Sequence, residues 1–299
     1  MTKDLAAESV VLFRWTAPGR TFDGMHVLAN AIRRHPVAAF FALAYVFAWS
    51  WWIPLAVAGA VVRPGVGWPT HMIGLCGPAL AAVAVTAIVD GRAGLRDLAG
   101  RMTRWRIGRA GVVMLAVPVG LLGLGVLAVR VTGGAWPRAH DLVSVSGLTA
   151  SLVPMLAGLV VLNGFGEETG WRGFAYHRLR ERYGPTRAAL LVAVGWAGWH
   201  APLFFLVATF QGFSAGTLAG FVAGIAAGAL VLSSVYDRTG SSIFAAACWH
   251  AAYNLSSAST ATQGVIAAIS TTAVMVWAAW LLLAAYRRRA PKALRPSMK

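Results

Sequence analysis

The sequence predicts an all-α, polytopic membrane protein, a bundle of about eight transmembrane helices with both termini in the cytoplasm. Hydrophobic residues make up 58% of the 299 positions and charged residues only 12%, whereas roughly a quarter of the residues in soluble domains are charged. The mean hydropathy of +0.65 agrees with this class. Eight apolar segments approach the length of about 20 residues that one crossing needs. They cover residues 36–62, 70–89, 110–131, 148–168, 188–210, 215–236, 241–258 and 264–286.

The basic residues predict the orientation of the bundle. Lys and Arg number 26 and Asp and Glu number 10, which gives a formal net charge of +16. All the bases except Arg63, Arg130 and Arg138 fall at the chain ends or in alternate loops. Cytoplasmic loops carry the excess of Lys and Arg, so both termini and the end of the fourth segment are predicted to be cytoplasmic. The charge is therefore a topology signal, and no nucleic-acid partner is expected.

The segments outside the bundle are short. We predict a cytoplasmic N-terminal arm over 1–35, a transmembrane domain over 36–286 with its motif-bearing core at about 145–260, and a basic cytoplasmic tail over 287–299. The arm has mixed charge and no early apolar run, so we expect an uncleaved first span. The abundance of Ala, Gly and Arg is typical of a GC-rich bacterial genome, and we expect a multi-pass protein of the bacterial plasma membrane.

The sixth apolar segment carries a strip of glycines at intervals of four, which places them nearly on one helix face. They are Gly212, Gly216, Gly220, Gly224 and Gly228. Small residues in such a strip let a neighbouring transmembrane helix approach closely. We therefore expect close packing along this face, and a sliding or gating helix is the functional alternative.

Glu167 and Glu168 are the strongest indication of chemistry in the chain. The other eight acidic residues lie in segments predicted to be outside the lipid, and an ionisable group at membrane depth is by default a functional candidate. Glu168 and Arg172 are four residues apart and share a helix face, so a salt bridge could neutralise Glu168 and leave Glu167 free. The alternative is that both carboxylates are solvated at the cytoplasmic rim and pair with nearby arginines.

Three more polar residues lie on the fifth and seventh predicted spans: His200, His250 and Asn254. His250 and Asn254 are four apart, so their side chains project from one face. Two imidazoles and the carboxylate of Glu167 match the ligand set of a catalytic zinc site with an open position. The same groups also work without a metal. Glu167 could deprotonate water with help from His200, while His250 and Asn254 donate hydrogen bonds to the developing oxyanion.

The alternative for each histidine is a core residue that bonds a backbone carbonyl. For His200 one candidate partner is the carbonyl of Gly198, which Pro202 leaves free of its helical hydrogen bond. Both histidines are predicted to lie well inside their spans, which favours function over a position at the rim.

Together the three segments resemble the signatures of the CPBP family of intramembrane proteases, also called the CAAX protease and bacteriocin-processing family. That family carries Glu-Glu-x-x-x-Arg, Phe-x-x-x-His and His-x-x-x-Asn or Asp, in this order, on a helical membrane bundle. The matching residues are Glu167, Glu168 and Arg172, then His200, then His250 and Asn254. Trp196 stands where the family pattern has Phe, which keeps an aromatic lining but changes its size.

The resemblance implies hydrolysis of peptide bonds within the membrane, by a CAAX-type metalloendopeptidase or a glutamate-dependent hydrolase. It implies that Glu167 activates water, that His200 assists, and that His250 and Asn254 stabilise the oxyanion. A zinc ion, if one is used, would be held by Glu167, His200 and His250. The expected partners are a membrane-associated protein or peptide substrate and the lipid bilayer.

Two other classes of function stay open. A membrane scaffold or immunity protein of the same fold would bind a partner without cleaving it. A proton-coupled transporter would use Glu and His side chains within its spans as a relay, but the sequence shows no internal repeat of broken helices.

Overall fold

The computed structural model describes residues 20–289, except for 143 and 149. Residues 1–19 of the predicted N-terminal arm and residues 290–299 of the predicted tail lie outside the described residues. The first helices are α1 (Arg20–Arg34), α2 (Pro36–Val57), α3 (Gly77–Val89), α4 (Gly91–Met102), α5 (Gly108–Val131) and α6 (Ala139–Leu142). A 3₁₀ turn over Met72–Cys76 leads directly into α3.

The middle of the chain forms one long helical run that contains two π-helical turns. It consists of α7 (Leu152–Gly158), a π-helical turn (Leu159–Phe165), α8 (Gly166–Gly170), a second π-helical turn (Trp171–Tyr176) and α9 (His177–Tyr183). The remaining helices are α10 (Pro185–Trp199), α11 (Leu203–Leu206), α12 (Ala208–Gln211), α13 (Ala215–Arg238), α14 (Ile243–Ala258) and α15 (Val265–Arg289). A short 3₁₀ turn, Thr260–Thr262, separates the last two.

The predicted class, an all-α polytopic membrane protein, is confirmed. Within the described residues, six helical stretches are long and apolar enough to cross a membrane. They are Pro36–Val57, Met72–Val89, Gly108–Val131, Pro185–Leu206, Ala215–Arg238 and Val265–Arg288. The two other predicted spans are also helical, but 148–168 is interrupted by a π-helical turn and α14 has only 16 residues. A total of about eight crossings stays a prediction.

Several helices begin where their sequences place a start signal. Pro36 and Pro185 occupy the first turns of α2 and α10, where the missing N–H of proline costs no helical hydrogen bond. The hydroxyl of Ser242 accepts a hydrogen bond of 3.0 Å from the N–H of Ala245 and caps α14. The start of α14, the helix that carries His250, is therefore fixed by local chemistry.

The fifth predicted span is divided near its middle. α10 ends at Trp199, and His200 is its C-terminal cap residue, because the ring of Pro202 disfavours a continuous helix. The loop after α2 supplies partners for the broken backbone. The N–H of Val62 donates to the carbonyl of Leu206 at 2.8 Å, and the N–H of Ala208 donates to the carbonyl of Val62 at 3.0 Å. Irregular backbone is thus tolerated here because its polar groups are satisfied within the protein.

An aromatic cluster anchors the end of α10. The ring of Trp199 meets that of Trp52 on α2 edge-on at 4.6 Å between centroids, and that of Trp171 at 5.7 Å. All three side chains are fully buried, and such aromatic pairs add packing energy beyond the area they bury. This packing fixes the last turn of α10, which carries Trp196 and leads into His200.

The expected close packing along the glycine strip is wrong. A Cβ built on Gly220 or Gly224 would meet no atom within 4 Å, and one on Gly228 would only touch the ring of Trp196 at 3.8 Å. Gly212 precedes the start of α13 and is not part of its face. The interval of four predicts which face of a helix is small, but small side chains permit close approach without compelling a neighbour to make it. The buried residues of α13 begin at Ile225.

Candidate active site

The two adjacent carboxylates lie on α8, between the two π-helical turns. A π-helical turn inserts an extra residue into the helix and is frequent at functional sites. Glu167 is 2% exposed and Glu168 is 0% exposed. The alternative of two solvated carboxylates at the rim is therefore wrong. Buried carboxylates need hydrogen-bond or charge partners, and each of the two has its own set.

Glycines around the carboxylates let neighbouring backbones come very close. A Cβ on Gly164 would lie 2.6 Å from the carbonyl oxygen of Ala247, and one on Gly166 would lie 2.8 Å from that of Leu75. On Gly170 it would lie 2.6 Å from the carbonyl oxygen of Pro78. No real side chain tolerates such contacts. These glycines therefore serve to pack α3 and α14 against the carboxylates.

Glu168 forms a buried charged cluster with Arg172 and His250. Its Oε1 accepts hydrogen bonds from Nη1 of Arg172 at 2.9 Å and from Nδ1 of His250 at 2.8 Å. The predicted salt bridge between Glu168 and Arg172 is present, and both side chains are fully buried. The guanidinium of Arg172 also lies over the ring of Trp196, 4.6 Å from its centroid, in a favourable cation–π contact.

Glu167 has different partners and is held by two neutral donors. Its Oε1 accepts a hydrogen bond of 2.7 Å from Nδ2 of Asn163, and its Oε2 accepts one of 2.7 Å from Nε1 of Trp196. Asn254 donates from its Nδ2 to Oδ1 of Asn163 at 2.6 Å. A carboxylate only accepts, so the amide nitrogen of Asn163 must face Glu167, and its oxygen is left to accept from Asn254. The chain of bonds thus runs from Asn254 through Asn163 to Glu167.

Asn163 and the indole N–H of Trp196 are site features that the sequence analysis did not predict. Trp196 was interpreted only as lining. A signal for Asn163 exists, since it is four residues before Glu167 in an otherwise apolar segment. This is the same spacing that predicts the pair of Glu168 and Arg172.

His200 sits at the end of α10 with one ring nitrogen engaged. Its Nδ1 lies 2.7 Å from the carbonyl oxygen of Trp196, so this nitrogen carries the proton, and Nε2 is an acceptor without a partner among the described residues. The predicted backbone partner was wrong in its identity, because the carbonyl is that of Trp196 and not that of Gly198. The ring of Trp196 lies between the two imidazoles, 6.0 Å from His200 and 5.5 Å from His250 between centroids.

The structure thus brings together the residues of the three motifs, which come from α8 and the π-helical turn after it, the end of α10, and α14. Glu168 contacts both Arg172 and His250, and Asn254 reaches Glu167 through Asn163. His200 joins the group through Trp196.

The arrangement does not fit a zinc site formed by Glu167, His200 and His250. In the part of the chain that the structure describes, no three His, Cys, Asp or Glu side chains are placed to share a metal ion. Both oxygens of Glu167 already accept from N–H donors, whereas the Nδ1 bonds of the two histidines leave Nε2 of each ring as the nitrogen that would bind a metal. Zinc binding by this trio would require the side chains to move, and it stays a prediction.

The fold and the buried Glu, His and Arg side chains define a helical membrane protein with a polar site inside its bundle. Comparison with known proteins shows which protein family this part of the chain resembles. Residues 149–256, which contain all three motifs, match the family described as Rce1-like, type II CAAX prenyl endopeptidase. The resemblance predicted from the motifs is confirmed over this segment, which is similar to the CPBP or CAAX protease family.

One curated relative matches over a shorter stretch. A protein named CAAX prenyl protease 2, from Methanococcus maripaludis, is 38% identical over 63 residues, which are 21% of this chain and 23% of the relative. The aligned part therefore spans less than a quarter of the relative's length. The likeness supports the type of domain, and it is too short to transfer the activity of the whole relative.

Proposed function

We propose that the protein is an intramembrane endopeptidase that hydrolyses peptide bonds of membrane-associated proteins or peptides. The observation that carries the proposal is the different environment of two neighbouring carboxylates. Glu168 is bound to Arg172 and His250, whereas Glu167 is held only by neutral donors. One carboxylate is thus neutralised by fixed charges, and the other is left to exchange a proton.

In the proposed reaction Glu167 is the general base. Its carboxylate takes a proton from a water molecule while the water oxygen bonds to the carbonyl carbon of the scissile peptide. The electrons of the C=O double bond move to the carbonyl oxygen, which becomes the oxyanion. When the tetrahedral intermediate collapses, the C–N bond breaks and the proton passes from Glu167 to the leaving amine. The Nε2 of His200 is free to orient the water or to relay this proton.

His250 and Asn254 are the proposed oxyanion donors. Glu168 accepts from Nδ1 of His250 and fixes the orientation of the ring, and Nε2 of this ring, when it carries a proton, can donate to the oxyanion. The amide of Asn254 uses one of its two N–H groups on Asn163 and keeps the other for the substrate. Fixed donors of this kind stabilise charge as it develops, because they need no reorganisation.

We propose a class of substrate and assign no individual protein. The relative's name refers to prenylated CAAX proteins, and we propose a membrane-associated protein or peptide with or without a lipid group. The proposed location is the bacterial plasma membrane, with the basic loops facing the cytoplasm.

Cleavage of a panel of membrane-tethered peptides by the purified full chain tests the proposal. Each peptide is made with and without a prenyl group, and wild type is compared with Glu167→Gln. We expect the variant to lose at least ~10²-fold in kcat, the lower end of what a general base contributes. Glu181→Gln changes an exposed glutamate on α9 and is the matched control. A fully active Glu167→Gln would overturn the role of Glu167, and binding of peptides without cleavage would favour the scaffold alternative.

A further inference from the structure

A cavity of about 610 Å³ lies where α10 begins and α13 and α15 end. In the described part of the chain, none of the site residues named above lines it. One wall is apolar and is formed by Ala189, Leu230, Leu281 and Ala284. All three helix ends belong to the side that the basic residues assign to the cytoplasm.

A buried serine belongs to the wall of this cavity. Ser233 lines the cavity and is 3% exposed. Among the described residues its Oγ has no hydrogen-bond partner, and this atom is covered by the protein. Ser233 therefore contributes to the wall and not to a ligand contact.

Two arginines at the edge of the cavity are free to bind an anion. Arg238 and Arg288 line the cavity and are exposed, and among the described residues neither forms a salt bridge, while Arg238 donates only to the hydroxyl of Ser234 at 3.3 Å. The carboxylate of Asp237 also lines the cavity, but it is already bound by Arg180 and by the hydroxyl of Tyr176. The edge of the cavity thus has an excess of positive charge.

The residues that line the cavity suit a lipid. Trp280 lines it and is 55% exposed, and tryptophan is enriched at the level of lipid headgroups. Arg288 lies eight residues further along α15, roughly 12 Å along the helix axis. A phosphate beside the arginines would leave an acyl chain to run along Leu230 and Leu281 toward the interior of the bilayer.

We propose that this cavity binds one anionic phospholipid of the cytoplasmic leaflet. Its phosphate is held by Arg238 and Arg288, and one acyl chain packs against the apolar wall. Basic pockets between transmembrane helices on the cytoplasmic side are suited to such headgroups. The lipid would tie together α10, α13 and α15 at the end where α10 begins.

Native mass spectrometry of the wild-type chain in neutral detergent tests the selectivity directly. The protein is incubated with equal amounts of phosphatidylglycerol and phosphatidylcholine, which have similar acyl chains and differ in net charge. We expect at least fivefold preferential retention of one phosphatidylglycerol and a rise of several degrees in the unfolding temperature. Equal retention of the two lipids would overturn the proposal.

Variants distinguish lipid binding in the cavity from general electrostatic attraction of the lipid to a basic surface. The double variant Arg238→Gln/Arg288→Gln is expected to lose the preference, whereas Arg92→Gln/Arg96→Gln, which removes two exposed arginines of α4, keeps it. Ala284→Phe places a larger side chain in the cavity without changing its charge and should also reduce retention of phosphatidylglycerol. Equal losses in the α4 variant would assign the effect to surface charge and overturn the proposal.

A free phosphate is the other source of the same chemistry. If glycerol 3-phosphate or inorganic phosphate alone raised the unfolding temperature as much as phosphatidylglycerol does, the commitment to a lipid would be wrong. Should the arginine variants fail to fold, the competition measured on wild type still decides between the outcomes.

Discussion

Asn163 donates a hydrogen bond of 2.7 Å from its side-chain amide to Oε1 of Glu167. The same amide accepts from Asn254, 91 residues later in the chain. Asn163 is 6% exposed, so water competes little for these bonds and they hold both side chains in fixed orientations. The general base and one proposed oxyanion donor are therefore positioned by a single residue between them.

Asn163→Ala is expected to lower the catalytic constant by roughly 10-fold to 10²-fold, because Glu167 loses one of its two donors and Asn254 loses its acceptor. The rate of peptide cleavage at saturating substrate measures this effect. The unfolding temperature of the variant reports any general loss of stability. Asn163→Asp should be at least as harmful, since it places a carboxylate against Oε1 of Glu167, in a cluster that already holds Glu167 and Glu168.

A variant that folds as wild type and cleaves at the wild-type rate would show that the bond between Asn163 and Glu167 is structural. Ser234→Ala, a change of a small polar side chain on α13 away from this cluster, provides the comparison for nonspecific effects.

Arg172→Lys is expected to destabilise the protein by about 1–3 kcal/mol, the range of a substantial point mutation. A lysine keeps the charge, but it cannot both donate to Glu168 and lie flat over the ring of Trp196 as the guanidinium does. Thermal unfolding in detergent measures the change. Arg92→Lys alters an exposed arginine of α4, and surface substitutions usually change stability by no more than about 0.5 kcal/mol. Equal shifts in the two variants would argue against a special role for the buried pair.

The local part of this site was predictable from the sequence. The spacing of four between Glu168 and Arg172 predicts their salt bridge, and the same spacing places His250 and Asn254 on one face. The structure confirms the bridge and brings both α14 residues to the run that carries the carboxylates. Periodicity along one helix needs no knowledge of its neighbours, which is why these inferences succeed.

The contacts between helices were not predictable in the same way. Glu168 and His250 are 82 residues apart, and a helical pattern does not say how one helix is rotated relative to the next. The π-helical turns on both sides of α8 also shift the direction of every side chain that follows them. The prediction of close packing along the glycine strip of α13 was wrong for a related reason. A helix face of small side chains does not specify which neighbour covers it.

Chelation tests whether zinc contributes to the proposed reaction. We expect cleavage by the purified protein to persist after dialysis against a chelator, since among the described residues Glu167, His200 and His250 are not placed to share a metal ion, and both oxygens of Glu167 already accept hydrogen bonds. Zinc content measured by mass spectrometry on the same sample accompanies the rate. Loss of cleavage that only zinc restores would show that the side chains rearrange around a metal, as the ligand set itself allows.

The stability of the protein is expected to fall as the pH drops from about 6.5 toward 4, in part because of His177, which lies in the predicted cytoplasmic loop after the fourth span. Burial, together with the positive charges of Arg101 and Arg180, lowers the pKa of this imidazole from 6.5 to about 4. Its Nδ1 accepts from the hydroxyl of Tyr236 at 2.8 Å, a bond that only the unprotonated nitrogen can accept.

The sign follows from where the proton binds. Between pH 6.5 and 4 the unfolded chain binds a proton at His177 that the folded protein does not, so the stabilisation is fully present above pH 6.5 and is lost on acidification. Unfolding temperatures measured from pH 7.5 to 4.5 should therefore fall less steeply for His177→Gln than for wild type. His140→Gln removes an exposed histidine, with a side chain that is 84% exposed, and should keep the wild-type slope. Parallel profiles for His177→Gln and wild type would refute the assignment.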